Sequence, residues 1–175
     1  MTPTKFFALA LLLSTSPAIA ASSLEEIRDC TLVETDWADG DSFRVRTPLG
    51  QEHTVRLYGA DCLEWHVTDS SDARRLRAQR RYFGITEVGG GPAGSIELAK
   101  QFGQQAAQEV AALLEKPFVI YSSFADARGD SRYQRVYAFV VTADGRDLAA
   151  HLVSAGLARA FGVSRKTFDG RTRDE

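Results

Sequence analysis

Two short stretches of this chain carry charge that folding alone does not call for. They are Asp39-Gly40-Asp41 and Arg56-Leu57-Tyr58-Gly59-Ala60-Asp61-Cys62-Leu63-Glu64. The second opens as an alternating strand and closes on two carboxylates, Asp61 and Glu64, spaced three apart. A further cation, Arg135, opens a later apolar stretch. Hard cations such as Ca²⁺ take oxygen ligands from carboxylates, carbonyls and water. A guanidinium offers paired donors that match phosphate oxygens. Carboxylates and arginines gathered at strand ends therefore suit metal-dependent cleavage of a phosphodiester. In that chemistry Asp41 and Asp61 supply part of a metal shell, Arg56 and Arg135 grip phosphate, and Glu64 faces a water molecule.

Each signal also has a plainer alternative. Asp-Gly is a common turn dipeptide. Asp61 and Glu64 suit a solvated acidic loop, and either arginine suits a strand whose side-chain stem packs on a barrel. An EF-hand is excluded, because placing Gly40 at the loop's glycine position puts Trp37 and Arg46 where oxygen ligands are required. Gly89-Gly90-Gly91 lacks the following Lys-Ser or Lys-Thr of a P-loop and reads as a flexible connector. His66 reads as a surface-loop histidine rather than a proton-transfer group.

The elements that must position these residues are legible from periodicity. Thr31 to Ala38 reads as a strand. Asp41 to Thr47 alternates, with Phe43 and Val45 on one face and Arg44 and Arg46 on the other. Pro48-Leu49-Gly50 turns the chain, and His53 to Ala60 alternates again, completing a three-stranded meander. Ser71 to Tyr82 is arginine-rich and helical, with Asp69, Ser70 or Ser71 as N-cap. A longer helix capped by Ser95 carries the stripe Ala99, Phe102, Ala106, Val110 and Leu113. Strands follow at Pro117 to Phe124 and Tyr133 to Thr142. Asp147 caps a last helix over Leu148, Leu152 and Ala155 that Gly156 ends. Five short antiparallel strands with an interposed helix give a mainly β, α+β chain: a five-stranded OB-type Greek-key barrel with two or three packed helices.

The ends and the composition add bounds. Lys5, the apolar run Phe6 to Leu13 and the small-x-small ending at Ala18-Ile19-Ala20 read as a signal peptide over 1–20, cleaved after Ala20. The run is too short for a membrane span, which needs about 20 residues; a membrane anchor is the alternative. Export to a periplasm or out of the cell follows, with no stable membrane association after cleavage. The remainder, 21–175, suits one domain. Net charge is −2, so no global basic field is available to grip nucleic acid. Basic residues are instead local: Arg74, Arg75, Arg77, Arg80 and Arg81 in one cluster, Arg159, Arg165, Lys166, Arg171 and Arg173 in another. Cys30 and Cys62 are the only cysteines. An exported chain with two cysteines is expected to pair them; the alternative is two free thiols, one buried.

The order Asp-Gly-Asp, Arg-Leu-x-x-x-Asp-x-x-Glu, Tyr-x-Arg and Gly-Leu-Ala resembles the staphylococcal nuclease (thermonuclease) family, from about Thr31 to Val163. The resemblance implies an OB-type barrel that hydrolyses phosphodiesters of DNA and RNA with Ca²⁺. By motif, Asp41 and Asp61 match its metal carboxylates, and Cys62 matches a residue that ligates through its backbone carbonyl. Arg56 and Arg135 match its phosphate-binding arginines, Glu64 its proposed general base, and Tyr133 an aromatic residue beside the bound nucleotide. A non-catalytic OB-fold module that only binds nucleic acid is the competing class. This chain departs from the pattern in four places, one of them the Arg-rich stretch and triple glycine that lengthen the segment after Glu64. Cys62-Leu63 replaces a common Thr-Pro pair, which a Cys30–Cys62 bridge would compensate by stiffening the loop. Gln134 stands where glycine is frequent. The chain stops near Glu175, where the family's last helix begins or continues.

Overall fold

Alternating apolar residues build the barrel that carries the site. The computed structural model describes residues 24–124, 126–127 and 135–162. Strands β1 (Glu25–Val33), β2 (Ser42–Arg46) and β3 (Glu52–Leu57) form the expected meander. A short β4 (Gly59–Cys62) follows β3, then helices α1 (Ser70–Tyr82) and α2 (Pro92–Leu113). Next come β5 (Phe118–Ser122), β6 (Arg135–Val141), α3 (Leu148–Ser154) and β7 (Ala158–Phe161). The five strands close as β1-β2-β3-β6-β5, with β3 and β6 parallel, and β4 pairs with β7 in a separate ribbon. This is the α+β, OB-like architecture expected from the sequence, except that the five strands are not all antiparallel: β3 and β6 pair parallel, because β4, two helices and β5 intervene between them. Phe43, Val45, Val55, Leu57, Phe118, Ile120 and Val140 fill the barrel, and Ala106, Val110 and Leu114 pack α2 and its end against it.

Four local differences have physical causes. Strand β1 begins earlier than Thr31 and ends at Val33, because its polar start pairs with β5 (Glu25↔Ser122, Ile27↔Ile120) across an irregularity before Cys30. Backbone pairing, not side-chain alternation, recruits that segment, and the chain turns at Asp36-Trp37. Helix α2 begins at Pro92 behind Gly91, since a proline at the first helical position costs no hydrogen bond. Ser95 lies inside the helix, buried, and its hydroxyl donates to the Ile85 carbonyl. Strands β4 and β7 are too short to announce themselves by alternation. Asp69 and Asp147 do cap α1 and α3, accepting from Ser71 and Asp72 and from Ala150.

The expected Cys30–Cys62 bridge is not formed: both residues are buried free thiols. Cys30 sits at the β1–β5 seam opposite Phe118 and donates to the Ile27 carbonyl. Cys62 sits on the β4–β7 ribbon opposite Ala158, with its sulfur against Gly40. Each thiol packs as a small apolar group, so the fold fills both sites without a cross-link. Burial pushes the Cys30 thiol up to about 11, with help from Asp29, and pushes Cys62 well up too.

Candidate active site

The strands deliver charge to one end of the barrel. Asp41 immediately precedes β2, and Asp39 shapes the turn into it, its Oδ1 accepting from the backbone N–H of Asp41 at 3.0 Å and of Ser42 at 2.5 Å. Gly40 is required by packing rather than by turn geometry. A Cβ there would lie 2.6 Å from the Ala106 Cβ and 2.7 Å from the Cys62 sulfur. The Asp-Gly-Asp stretch is thus an interlock between β2, α2 and β4.

Arg56 lies between Val55 and Leu57 of β3, on the face away from the barrel interior, and is buried. Its Nη1 donates to Asp41 Oδ1 and its Nη2 to Asp61 Oδ1 at 2.8 Å, so one guanidinium ties the two aspartates together. Burial works against its charge, but Asp41, Asp39 and Asp61 outweigh it and raise its pKa. Asp41 also accepts from the Cys62 N–H at 2.7 Å, and Asp61 from Arg159 Nε at 2.7 Å. Ser42 links this layer to the next: its hydroxyl donates to Asp41 and accepts from Arg135 Nη1 at 3.1 Å.

In front lies a cavity of about 530 Å³, lined by Asp39, Ser42, Glu64, His66, Arg75 and Arg135 among others. The structure therefore brings Asp41, Arg56, Asp61, Cys62, Glu64 and Arg135 to one place. Glu64 and Arg135 line the open cavity, while Asp41, Arg56 and Asp61 lie outside its lining and connect to it through Ser42. Tyr133, Gln134, the leader over 1–20 and the second basic cluster beyond Arg159 lie outside the described residues.

Two carboxyls of the site, Asp39 and Glu64, are pushed up. Burial, then Asp41 and Glu64, push the Asp39 carboxyl well up, against the pull of Arg56. Burial likewise raises Glu64, Arg75 draws it down, and Asp41 raises it again. Among the described residues no group of three or more His, Cys, Asp or Glu side chains is arranged to hold a metal by itself. An all-oxygen donor set of two carboxylates and a carbonyl still fits a hard cation, whose remaining ligands are commonly water. The crowded acids around Asp39 are what such a charge would relieve.

Four participants were not picked out from the sequence. Asp39 entered only as part of the Asp-Gly-Asp stretch, with no role of its own, and Arg159 only as one of a basic cluster. Arg75, noted only as one arginine among five, donates to Glu64 Oε1 at 2.7 Å. Gln79, one turn further along α1, has no motif and is buried. A polar residue inside the arginine-rich run, in step with Leu76 and Arg80 on the inner face, was the available signal.

A sequence-family model described as Staphylococcal nuclease homologue matches residues 54–174. The chain belongs to the staphylococcal nuclease family. The match takes in Arg56, Asp61, Glu64 and Arg135, whereas Asp39 and Asp41 precede it. A comparison with curated proteins returns no match. Among the described residues no helix is long and apolar enough to cross a membrane.

Proposed function

We propose that this staphylococcal nuclease homologue is an exported, calcium-dependent nuclease that hydrolyses phosphodiester bonds of DNA or RNA. The observation that supports it most is the Arg56 bridge between Asp41 and Asp61, joined through Ser42 to a cavity walled by Glu64 and Arg135. Asp41, Asp61 and the Cys62 carbonyl would hold Ca²⁺, which neutralises charge on a phosphate oxygen. Glu64 orients or deprotonates the attacking water, and its raised pKa brings it nearer the neutral range where a base works best. Arg135 donates from the cavity wall to the phosphate. Arg56, whose Nη groups are held by the aspartates, keeps its Nε–H for the charge that builds on phosphorus. Fixed donors of this kind are each worth about 10²–10³ in rate. Tyr133 is assigned to the bound nucleotide by motif.

Substrate outside the cavity meets helix α1. Arg74, Arg77 and Arg81 are exposed, share one face by their spacing, and have no ion-pair partner among the described residues. Arg80 instead is buried and donates to the Pro92 carbonyl. The exposed three suit a polyanion backbone. Export rests on the signal-peptide pattern over 1–20, leaving 21–175 as one domain.

Incubating the mature protein with denatured DNA and with RNA, first with Ca²⁺ and then with a chelator, tests this reading. Cleavage that stops on chelation supports it. Binding without Ca²⁺-dependent cleavage would instead identify a non-catalytic OB-fold nucleic-acid-binding module.

A further inference from the structure

The loop that carries Glu64 leaves the β4–β7 ribbon at Cys62 and has no strand or helix of its own until α1. Leu63 has no ring to restrict its φ, and no disulfide tethers Cys62. Yet both Cys62 and Glu64 are buried, so their backbone polar groups need partners within the protein. The Cys62 N–H has Asp41, and one further side chain serves the Cys62 carbonyl and the Glu64 N–H. Gln79 Nε2 donates to the Cys62 carbonyl at 2.7 Å, and Gln79 Oε1 accepts from the Glu64 N–H at 2.9 Å. The amide uses a donor and an acceptor at once, so it has one workable orientation: a flip would set donor against donor and oxygen against oxygen. Gln79 is only 2% exposed and is not part of the cavity lining.

Neighbouring contacts make the clamp firm. Leu63, between the two clamped groups, is buried against Leu76 of α1 and Ala99 of α2. Gly103 of α2 lies so close that a Cβ there would come within 2.2 Å of the Leu63 carbonyl oxygen. Arg75 stands one helical turn before Gln79 and holds the Glu64 carboxylate itself. Helix α1 thus fixes backbone and side chain of the same residue.

We propose that Gln79 is the positioning residue of this site. By locking the Cys62 carbonyl and the Glu64 amide to one rigid helix, it sets where the Glu64 carboxylate stands relative to Asp41 and Asp61. This rests on the nuclease reading for its catalytic consequence, but not for its structural one. A misplacement of about 1 Å in a reacting group costs about 10²-fold in rate, so a loose Glu64 loop lowers kcat and leaves substrate binding through arginines largely alone.

Two readouts on the full mature chain test it. The first is amide hydrogen exchange on metal-free protein. In the wild type the Glu64 amide is expected to exchange slowly, although it lies in a loop. Gln79→Met, of similar volume, should speed that amide by about tenfold to hundredfold, the loss of a buried hydrogen bond, with β3 amides unchanged. The second readout is cleavage of denatured DNA, where Gln79→Met should lower kcat by about tenfold or more with KM little changed. A wild-type Glu64 amide that exchanges like an open loop removes the clamp, even if Gln79→Met does not fold. Fast exchange in Gln79→Met with wild-type kcat leaves Gln79 structural and overturns its positioning role. A wild type that never cleaves removes the nuclease reading and the catalytic role with it, while the exchange result still decides the clamp.

Discussion

The barrel wall and the segment from the end of β4 into the following loop bring key groups to the site by different means. On the wall, Asp41, Arg56 and Arg135 are placed by strand register: Ser42 pairs with Arg56 across β2 and β3, and Arg135 opens β6 beside β3. At the end of β4 and in the loop after it, Asp61, Cys62 and Glu64 are held by side chains from elsewhere, although Asp61 and Cys62 also pair in register with β7. Arg159 of β7 holds Asp61, Gln79 holds Cys62 and Glu64, and Arg75 holds Glu64 again. Register comes free with the fold, whereas a clamp depends on individual residues. The wall should therefore tolerate change around it and fail when its own charges go. The loop should fail through substitutions that never touch substrate.

The largest expected effect breaks the wall. Arg56→Met strips the shared partner from two buried carboxylates. It should cost about 3–5 kcal/mol of stability, as breaking a buried ion pair does, and about 10²–10³ in kcat. Denaturant unfolding and steady-state kinetics check both; a variant of unchanged stability would mean Arg56 is not the tie between the aspartates.

Next comes the thiol on the wall side. The folded Cys30 thiol holds its proton up to about 11, against an ordinary value of 9.0. Its contribution is therefore full below the ordinary value and is lost as pH rises through the folded one. Unfolding free energy should fall by about 2–3 kcal/mol more across that window in the wild type than in Cys30→Ala. Equal alkaline slopes would show that Cys30 is not a buried thiol. A mass unchanged by reduction should accompany this, since neither cysteine is bridged.

Gly103→Ala sharpens the loop side. The added methyl meets the Leu63 carbonyl, so α2 must back away, at about 1–3 kcal/mol for an overpacked contact, with kcat falling more than KM rises. A stable, fully active variant would show that the loop does not rest on α2.

How much of this was legible follows the same division. Phe43, Val45, Val55 and Leu57 alternate, so β2, β3 and the charges they carry could be read directly. The barrel class followed from strand count and turn residues, but the parallel β3–β6 pairing that closes it did not. Strands β4 and β7 could not be read, because four residues give too little alternation. Gln79 and Arg159 act on residues far away in sequence, and no local pattern encodes a partner across such a gap. The disulfide expectation failed for a related reason: export argued for a bridge, but each thiol found its own apolar niche. Gly40 looked like a turn residue because Asp-Gly usually is one; its real constraint comes from Cys62 and Ala106.

The smallest effect lies outside both regions. Replacing Arg74, Arg77 and Arg81 together with Gln should leave kcat near wild type. It should flatten the salt dependence of single-strand affinity by about two units of log–log slope, at about 0.7 per contact. An unchanged slope would mean that the substrate does not track along α1.

The central claim is that a loop built by helices and a wall built by strands act on one phosphate. Single-turnover cleavage of denatured DNA with saturating Ca²⁺, comparing wild type with Glu64→Gln, tests it most directly. The expected result is a wild type that cleaves and a variant slowed by about 10²–10⁴-fold with binding retained. Equal rates for the two proteins would take Glu64 out of the chemistry and contradict the account.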